Sequence, residues 1–397
     1  MKLALTVLLT IMGFSVIAQT YDTNGEVVET FAGAGIPSYL DGQGQAAEFS
    51  NPLGIIADTS SNLYVWDSGN ERIRKIIPNA TVSTFAGGGT DLEGYGTNVS
   101  FSSYTVGAIG IDHSNTIWIV ASYIGNTYFL NIQSDSYLTI QNGGAGFTNL
   151  STSSGICFDS QNNFYYSGGY RVWKYDPSTT ALQIFAGSGV NGHLDGNGIY
   201  TEFSSPATIV CDEANNIDVQ DGSYIRRIDQ YQNVTTITNS PIGNLMGVDN
   251  NGNVLIVNGN AIEKLTATTN ILIYGGTTSF SSGTYTNGTG SLARFASPSS
   301  ACFSQGSIFV SDTGNQRIRQ ISLNPQSQVV SGANLAIGTY AGVTVNGIVG
   351  RTYQIQSSPD MTNWTTASTI LLNNSPYLWI DPSGANGNKF YRAVLLP

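Results

Sequence analysis

From residue 27 onward, most of the chain consists of apolar runs about four to seven residues long, separated by clusters of Gly, Asn, Ser and Pro. Leu53 to Ala57, Leu63 to Trp66, Ile73 to Ile77 and Thr81 to Ala86 form one such group of four. Runs this short, bounded by turn formers, predict strands. No stretch keeps a helical period for more than a turn or two, so an all-β chain is expected.

The groups recur. Phe31-Ala32-Gly33, Phe85-Ala86-Gly87 and Phe185-Ala186-Gly187 fall into register, with Tyr274-Gly275-Gly276 as a looser copy. A second ruler is an apolar run ending in Asp, then a turn and Asn: Asp58 to Asn62, Asp112 to Asn115, Asp159 to Asn163, Asp212 to Asn216 and Asp249 to Asn253. A sixth copy, Ala301 to Ser304, lacks the Asp. One twisted four-stranded sheet cannot bury both of its faces alone, whereas a closed ring of sheets can, so the repeat predicts a six-bladed β-propeller. The sixth unit supplies three strands, ending near Leu323, while Val27 to Phe31 is an orphan strand of the fourth-strand type. That N-terminal strand is expected to complete the last blade and close the ring.

Past Leu323 the repeat stops at Asn324-Pro325-Gln326-Ser327, which breaks the pattern as a linker would. A second set of strands is predicted over Leu335 to Tyr340, Gly342 to Val345, Thr352 to Gln356, Trp364 to Leu372, Tyr377 to Ile380 and Phe390 to Leu395. They suggest a small antiparallel β-sandwich of fibronectin or immunoglobulin type. The opening residues are different again. Lys2 is followed by an apolar run from Leu3 to Ala18 and then by Gln19, the pattern of a cleavable export signal and too short for a membrane anchor. The expected organisation is a signal peptide over 1–18, propeller over 19–323, linker over 324–333 and sandwich over 334–397.

Composition sharpens this picture. Gly is 46 of 397 residues and only 10% of the chain is charged, where about 25% is typical, as suits a turn-rich chain with a large apolar core. A formal net charge of -11 repels phosphate backbones, so nucleic acid is not an expected partner. The mature protein is expected to be secreted or held outside the cytoplasm, without an integral membrane segment, as a monomer. Cys157, Cys211 and Cys302 are an odd number without metal-ligand spacing; no disulfide framework is expected, and the three read as small apolar core residues.

At Gly54-Ile55-Ile56-Ala57-Asp58, and again from Asn62-Leu63-Tyr64-Val65-Trp66-Asp67-Ser68-Gly69-Asn70 to Glu71-Arg72-Ile73-Arg74-Lys75-Ile76, the chain resembles the NHL repeat of six-bladed propellers. Ile308 to Arg319 carries the pattern a second time. That resemblance implies the fold, but such propellers bind proteins, bind RNA, sense ligands or, in one case, act as an amidating lyase, so it selects no single function. The lyase needs a zinc site of several histidines, and this chain has only His113 and His193. A metal-dependent lactonase-like or other hydrolase propeller, with calcium held in its central channel, is the alternative to a binding or scaffold protein. Its ligands do not map residue by residue onto this sequence.

Candidate chemistry is sparse. The five recurring Asp residues read as turn formers, because catalysis needs one special acid and not five equivalent ones. Gly187-Ser188-Gly189-Val190-Asn191-Gly192 matches a dinucleotide fingerprint literally, yet it leaves a strand of the repeat and opens no helix. Asp41-Gly42-Gln43-Gly44 before Phe49 and Asp195-Gly196-Asn197-Gly198 before Phe203, with Asn287-Gly288-Thr289-Gly290 before Phe295 as a variant, predict tight turns that tuck a Phe against the next blade. Asp41 and Asp195 are the calcium candidates, although one Asp per loop is few for an ion that takes six to eight oxygens. Arg72, Arg171 and Arg317 recur at one strand position and read as structural partners of neighbouring strands or blades. G-x-S-x-G and H-E-x-x-H are absent, and no catalytic residue is expected.

The run from Tyr353 to Trp364, closed by Phe390-Tyr391-Arg392-Ala393-Val394, resembles a module that ends many large exported bacterial proteins. The resemblance implies attachment, sorting or spacing. Trp364, Tyr377 and Trp379 could stack on sugar rings, but most of them are read there as core residues. The function expected from the sequence is therefore binding of a protein or glycan ligand at a propeller face, with no cofactor beyond the calcium alternative.

Overall fold

The structure is a computed structural model that describes residues 26–141, 155–176, 179, 181–237, 243–249, 251–265, 271–278, 285–290, 292–323, 342–345, 351–372, 377–380 and 390–396. The export signal and the strand expected over Leu335 to Tyr340 lie outside these residues. Two compact units divide the chain, Met1–Ser327 and Gln328–Pro397. Among the described residues no helix is long and apolar enough to cross a membrane.

The larger unit is built from antiparallel sheets of four or five strands, in each of which the inner strand and its next two neighbours follow chain order outward. The inner strands are Pro52–Ala57, Thr105–Ile111, Ile156–Phe158, Pro206–Cys211, Asn244–Val248 and Pro298–Ser304, and their sheets are numbered first to sixth below. Each inner strand neighbours the next, and the sixth returns to the first. Four of the six second strands, Leu63–Asp67 among them, are buried at every position, because neighbouring sheets cover both faces. A continuous apolar run is the sequence signature of such a strand. Outer strands alternate more, as in Thr81–Gly87, where Val82 is buried and Ser83 exposed.

Hydrophobic burial is organised between sheets. Tyr64, Trp66 and Ile73 of the first pack with Ile119 and Leu130 of the second. Trp118 and Phe129 meet Phe164 and Tyr175 of the third, and Cys157 and Val172 meet Ile209 and Val219 of the fourth. Similar clusters join fourth to fifth, fifth to sixth, and sixth to first. At about 1.5–3 kcal/mol for each large apolar side chain removed from water, these clusters hold neighbouring sheets together.

The closing strand falls where the sequence placed it. Val27–Ala32 pairs antiparallel with Arg317–Ser322, Val28 opposite Ile321 and Thr30 opposite Arg319. The two ends of the larger unit thus share one sheet, and Val28 is fully buried there.

The cysteine expectation is overturned. Cys157 and Cys211, on the adjacent inner strands of the third and fourth sheets, form a disulfide across 54 residues, leaving Cys302 free. Local motifs hold no trace of this pairing, because the repeat, and not sequence proximity, sets the two positions side by side.

In the smaller unit, Gly342–Val345 pairs with Tyr377–Ile380, and Thr352–Ser358 lies between Thr365–Leu371 and Phe390–Leu395. Val345, Tyr353, Ile355, Leu372 and Trp379 form a common cluster drawing on both sheets. Trp379 is therefore a core residue, whereas Trp364 packs under the Arg392 guanidinium at 4.3 Å.

Candidate functional site

The inner strand of every sheet has its second strand on one side only, so six sheet edges face one another around a cavity of about 990 Å³. Toward one end the wall is apolar. Ala57, Ile111, Phe158, Cys211, Val248 and Phe303, one from each inner strand, are half-buried there. Ser299, Ser300, Thr208 and Asn244 come from the opposite ends of their strands, so that mouth is more polar. Five inner strands carry a register shift against their neighbour, as between Pro52 and Ile55 and between Pro206 and Ile209. Bulges of this kind re-aim side chains next to a site.

The recurring Asp residues close the apolar end. Asp58 Oδ1 accepts the N–H of Ser60 at 2.9 Å and of Asn62 at 2.7 Å, while Oδ2 accepts the Asn62 side-chain amide at 2.7 Å and the Tyr64 hydroxyl at 3.2 Å. Asp112, Asp159, Asp212 and Asp249 repeat the arrangement, with Trp118 donating to Asp112 at 3.0 Å. These carboxylates are occupied as turn formers. The turns are also tied to one another. Asn115 accepts the N–H of Thr59 at 3.0 Å, Asn162 that of His113 at 2.9 Å, and Asn215 that of Ser160 at 2.8 Å. In the fifth turn the matching residue is Gly252, at φ +70°, and the series ends there. Exposed Glu213 lines the cavity beside this break.

Asp41 and Asp195 lie in the loops that enter the first and fourth sheets, each engaged by a buried arginine. Arg74 spans Asp67 at 2.8 Å and Asp41 at 2.7 Å, and also donates to the carbonyls of Glu48 and Leu40. Arg226 does the same between Asp221 at 3.0 Å and Asp195 at 2.8 Å. In the sixth sheet Arg319 joins Asp312 at 2.8 Å to the amide oxygen of Asn287 at 3.0 Å. Phe49, Phe203 and Phe295 are buried beneath these guanidinium groups, each ring 5.0 Å away, as the loop motif predicts. Burial works upward on the Asp195 carboxyl but is outweighed by the Thr236 N–H and hydroxyl and by Arg226, which hold it below its ordinary range.

The ion pairs thus belong to Arg74, Arg226 and Arg319, two positions beyond the residues singled out in the sequence or, in the fourth sheet, at a repeat not singled out. Arg72, Arg171 and Arg317 instead bind carbonyls: those of Asn70, of Ser188, and of Asn315 and Ala34. The glycine-rich run at 187–192 is explained by the same packing. Gly187 has φ +102°, and a Cβ there would meet the Tyr170 carbonyl at 2.6 Å.

One further group escaped sequence reasoning. Glu263 is only 3% exposed and occupies the strand position that holds Arg74 in the first sheet, with Asn258 in place of Asp67. Burial pushes its carboxyl up to about 7, against a weak pull from Asn258. Cys302 lines the cavity, and burial pushes its thiol up to about 12. His113 is exposed, while His193 stacks on Tyr224 at 4.3 Å within the fourth sheet's arginine clamp. Among the described residues no three His, Cys, Asp or Glu stand together as a metal ion would require.

No protein family matches this chain by sequence, and no curated protein does. Solved structures do. A Bacteroides thetaiotaomicron protein of unknown function is 17% identical with a TM-score of 0.57, over 75% of this chain and 76% of that one. An auxiliary nutrient binding protein from Bacteroides ovatus is 15% identical with a TM-score of 0.55, over the same shares. A gluconolactonase from Xanthomonas campestris is 12% identical with a TM-score of 0.49, over 77% of this chain and 97% of that one. The fold is a β-propeller. At these identities the likeness speaks to fold alone.

Proposed function

We propose that the chain is an exported, monomeric binding or scaffold protein whose 19–323 segment is a six-bladed NHL-like propeller. In this reading it takes a protein or glycan ligand at the polar mouth of its channel, and the 334–397 segment is a β-sandwich for attachment or sorting. The observation that carries the reading is the composition of the channel wall. A roomy, mainly apolar cavity with a few polar groups at one end is the usual form of a ligand site. Its carboxylates come from Glu213 and Asp249, and Asp249 is already bonded to Asn251, Asn253 and Tyr274. A lactonase-like calcium site would need several free oxygens converging in the channel. Asp41 and Asp195, the sequence's calcium candidates, are engaged by arginine instead.

A channel-occluding substitution tests this. Asn244 is exposed at the polar mouth and its side chain makes no hydrogen bond among the described residues. Asn244→Trp is expected to weaken capture of whatever glycan or peptide the mature protein retains, without lowering its melting midpoint. Unchanged capture by this variant would remove the channel mouth from the account.

A further inference from the structure

The second sheet departs from the repeat at the end that carries the polar mouth. In the first sheet, the second and third strands end with Asp67 opposite Arg72, and a tight turn follows. In the second sheet the equivalent pair is Ala121 opposite Tyr128, and the hairpin runs on through Ser122 opposite Thr127 to Tyr123 opposite Asn126. The buried Asp67 and Arg74 are replaced there by Ala121 and Leu130, both buried. The polar clamp has been lost, and a longer hairpin has been gained.

The extension gathers three tyrosines. Tyr104, just before the inner strand, lies 5.8 Å from Tyr123 and 6.0 Å from Tyr128 between ring centroids, and Tyr123 lies 6.4 Å from Tyr128. Their ring planes are inclined to one another by 54°, 77° and 52°. Tyr123 is 40% exposed and the other two are half-buried. None of the three hydroxyls has a hydrogen-bond partner among the described residues, so water must serve them in the free protein. Burial, then Tyr128, Tyr123 and Glu93, raise the Tyr104 phenol above its ordinary value. Glu93 is exposed, with one oxygen accepting the Ile140 N–H at 2.9 Å.

We propose that Tyr104, Tyr123 and Tyr128 form a subsite for a neutral saccharide. The inference rests on the binding reading and deepens it by naming a ligand class and a face. Exposed tyrosine offers a ring to the C–H face of a sugar, while phenol hydroxyls left without a protein partner can meet its hydroxyl groups. Replacing loosely held water on those hydroxyls favours a ligand that reproduces the hydrogen bonds. A formal net charge of -11 disfavours acidic sugars and phosphate esters. A quaternary ammonium ion fits less well: centroids about 6 Å apart mean that the rings already pack against one another, leaving no box between them for a cation.

The test is binding of cellohexaose, xylohexaose and maltohexaose to the mature chain, residues 19–397, by titration calorimetry, with melting midpoints as the folding control. At least one oligosaccharide is expected to bind. Tyr123→Ala is expected to weaken it about tenfold or more, the size of loss typical of an exposed aromatic anchor, and Tyr104→Phe with Tyr128→Phe by several-fold with the midpoint unchanged. Binding that survives all these changes but is lost in Asn244→Trp overturns the tyrosine subsite and leaves the binding function standing. Failure of all three oligosaccharides to bind, or saturable binding of tetramethylammonium that Tyr123→Ala removes, overturns the saccharide assignment.

Discussion

Arg74, Arg226 and Arg319 each sit fully buried between one carboxylate inside the sheet and one acceptor in the entering loop. Removing one member of a buried pair leaves an uncompensated charge, which typically costs about 3–5 kcal/mol. Arg74→Met is therefore expected to lower unfolding free energy by that amount in a urea titration, whereas Asp41→Asn, at the half-exposed end of the pair, should cost about 1 kcal/mol or less. Equal losses would mean that the loop, and not the buried Asp67, is what the arginine stabilises. Glu263 gives an independent reading at the same scale. Its folded carboxyl is raised to about 7 by burial, above the unfolded value of 4.5. Between those values the folded state holds a proton that the unfolded state has released, so the contribution of Glu263 is full below the lower value and is lost as pH rises through the upper one. Glu263→Gln should stabilise the protein at pH 8 relative to wild type and make little difference at pH 4.5. A gain that does not vary with pH would show that the carboxyl is not titrating there.

The elements were the most legible part of the chain. Continuous apolar runs such as Leu63 to Trp66 marked strands covered on both faces, and the recurring Asp marked five of the six inner turns through the bonds it makes to its own loop. The orphan strand at the N-terminus could be assigned because the sixth unit lacked a fourth. What was hidden depended on contacts between units. Cys157 and Cys211 occur about one repeat apart, a signal visible only once the repeat itself is treated as a ruler. The extended hairpin of the second sheet was hidden in the same way, since Tyr104, Tyr123 and Tyr128 converge only when the strands pair. Two measurements follow for the elements. Thiol titration of denatured, unreduced protein should find one free thiol per chain, rising to three after reduction; three before reduction would contradict the disulfide. Cys157→Ser together with Cys211→Ser should cost roughly 2–4 kcal/mol, in keeping with a crosslink that closes a long loop.

At the scale of the whole molecule, function was the least legible property because the channel is built from backbone edges and ordinary apolar residues. Repetition explains why. Asp58, Asp112, Asp159, Asp212 and Asp249 hold equivalent turns, so the most conspicuous acids in the sequence are spent on structure. The distinguishing positions are departures from the repeat: Gly252 where the turn-to-turn series ends, Glu263 in an arginine's place, and Tyr123 on the lengthened hairpin. All three are ordinary residue types that acquire meaning only against the other units. Two of these departures have stated tests, and the channel itself has the most direct one. The melting midpoint of residues 19–397 should be raised by a neutral oligosaccharide or a peptide in proportion to occupancy, because a ligand that binds only the folded state stabilises it. The same midpoint should be unmoved by millimolar calcium or by excess chelator. A rise of several degrees with calcium, reversed by the chelator, would contradict the account and point instead to the metal-dependent hydrolase.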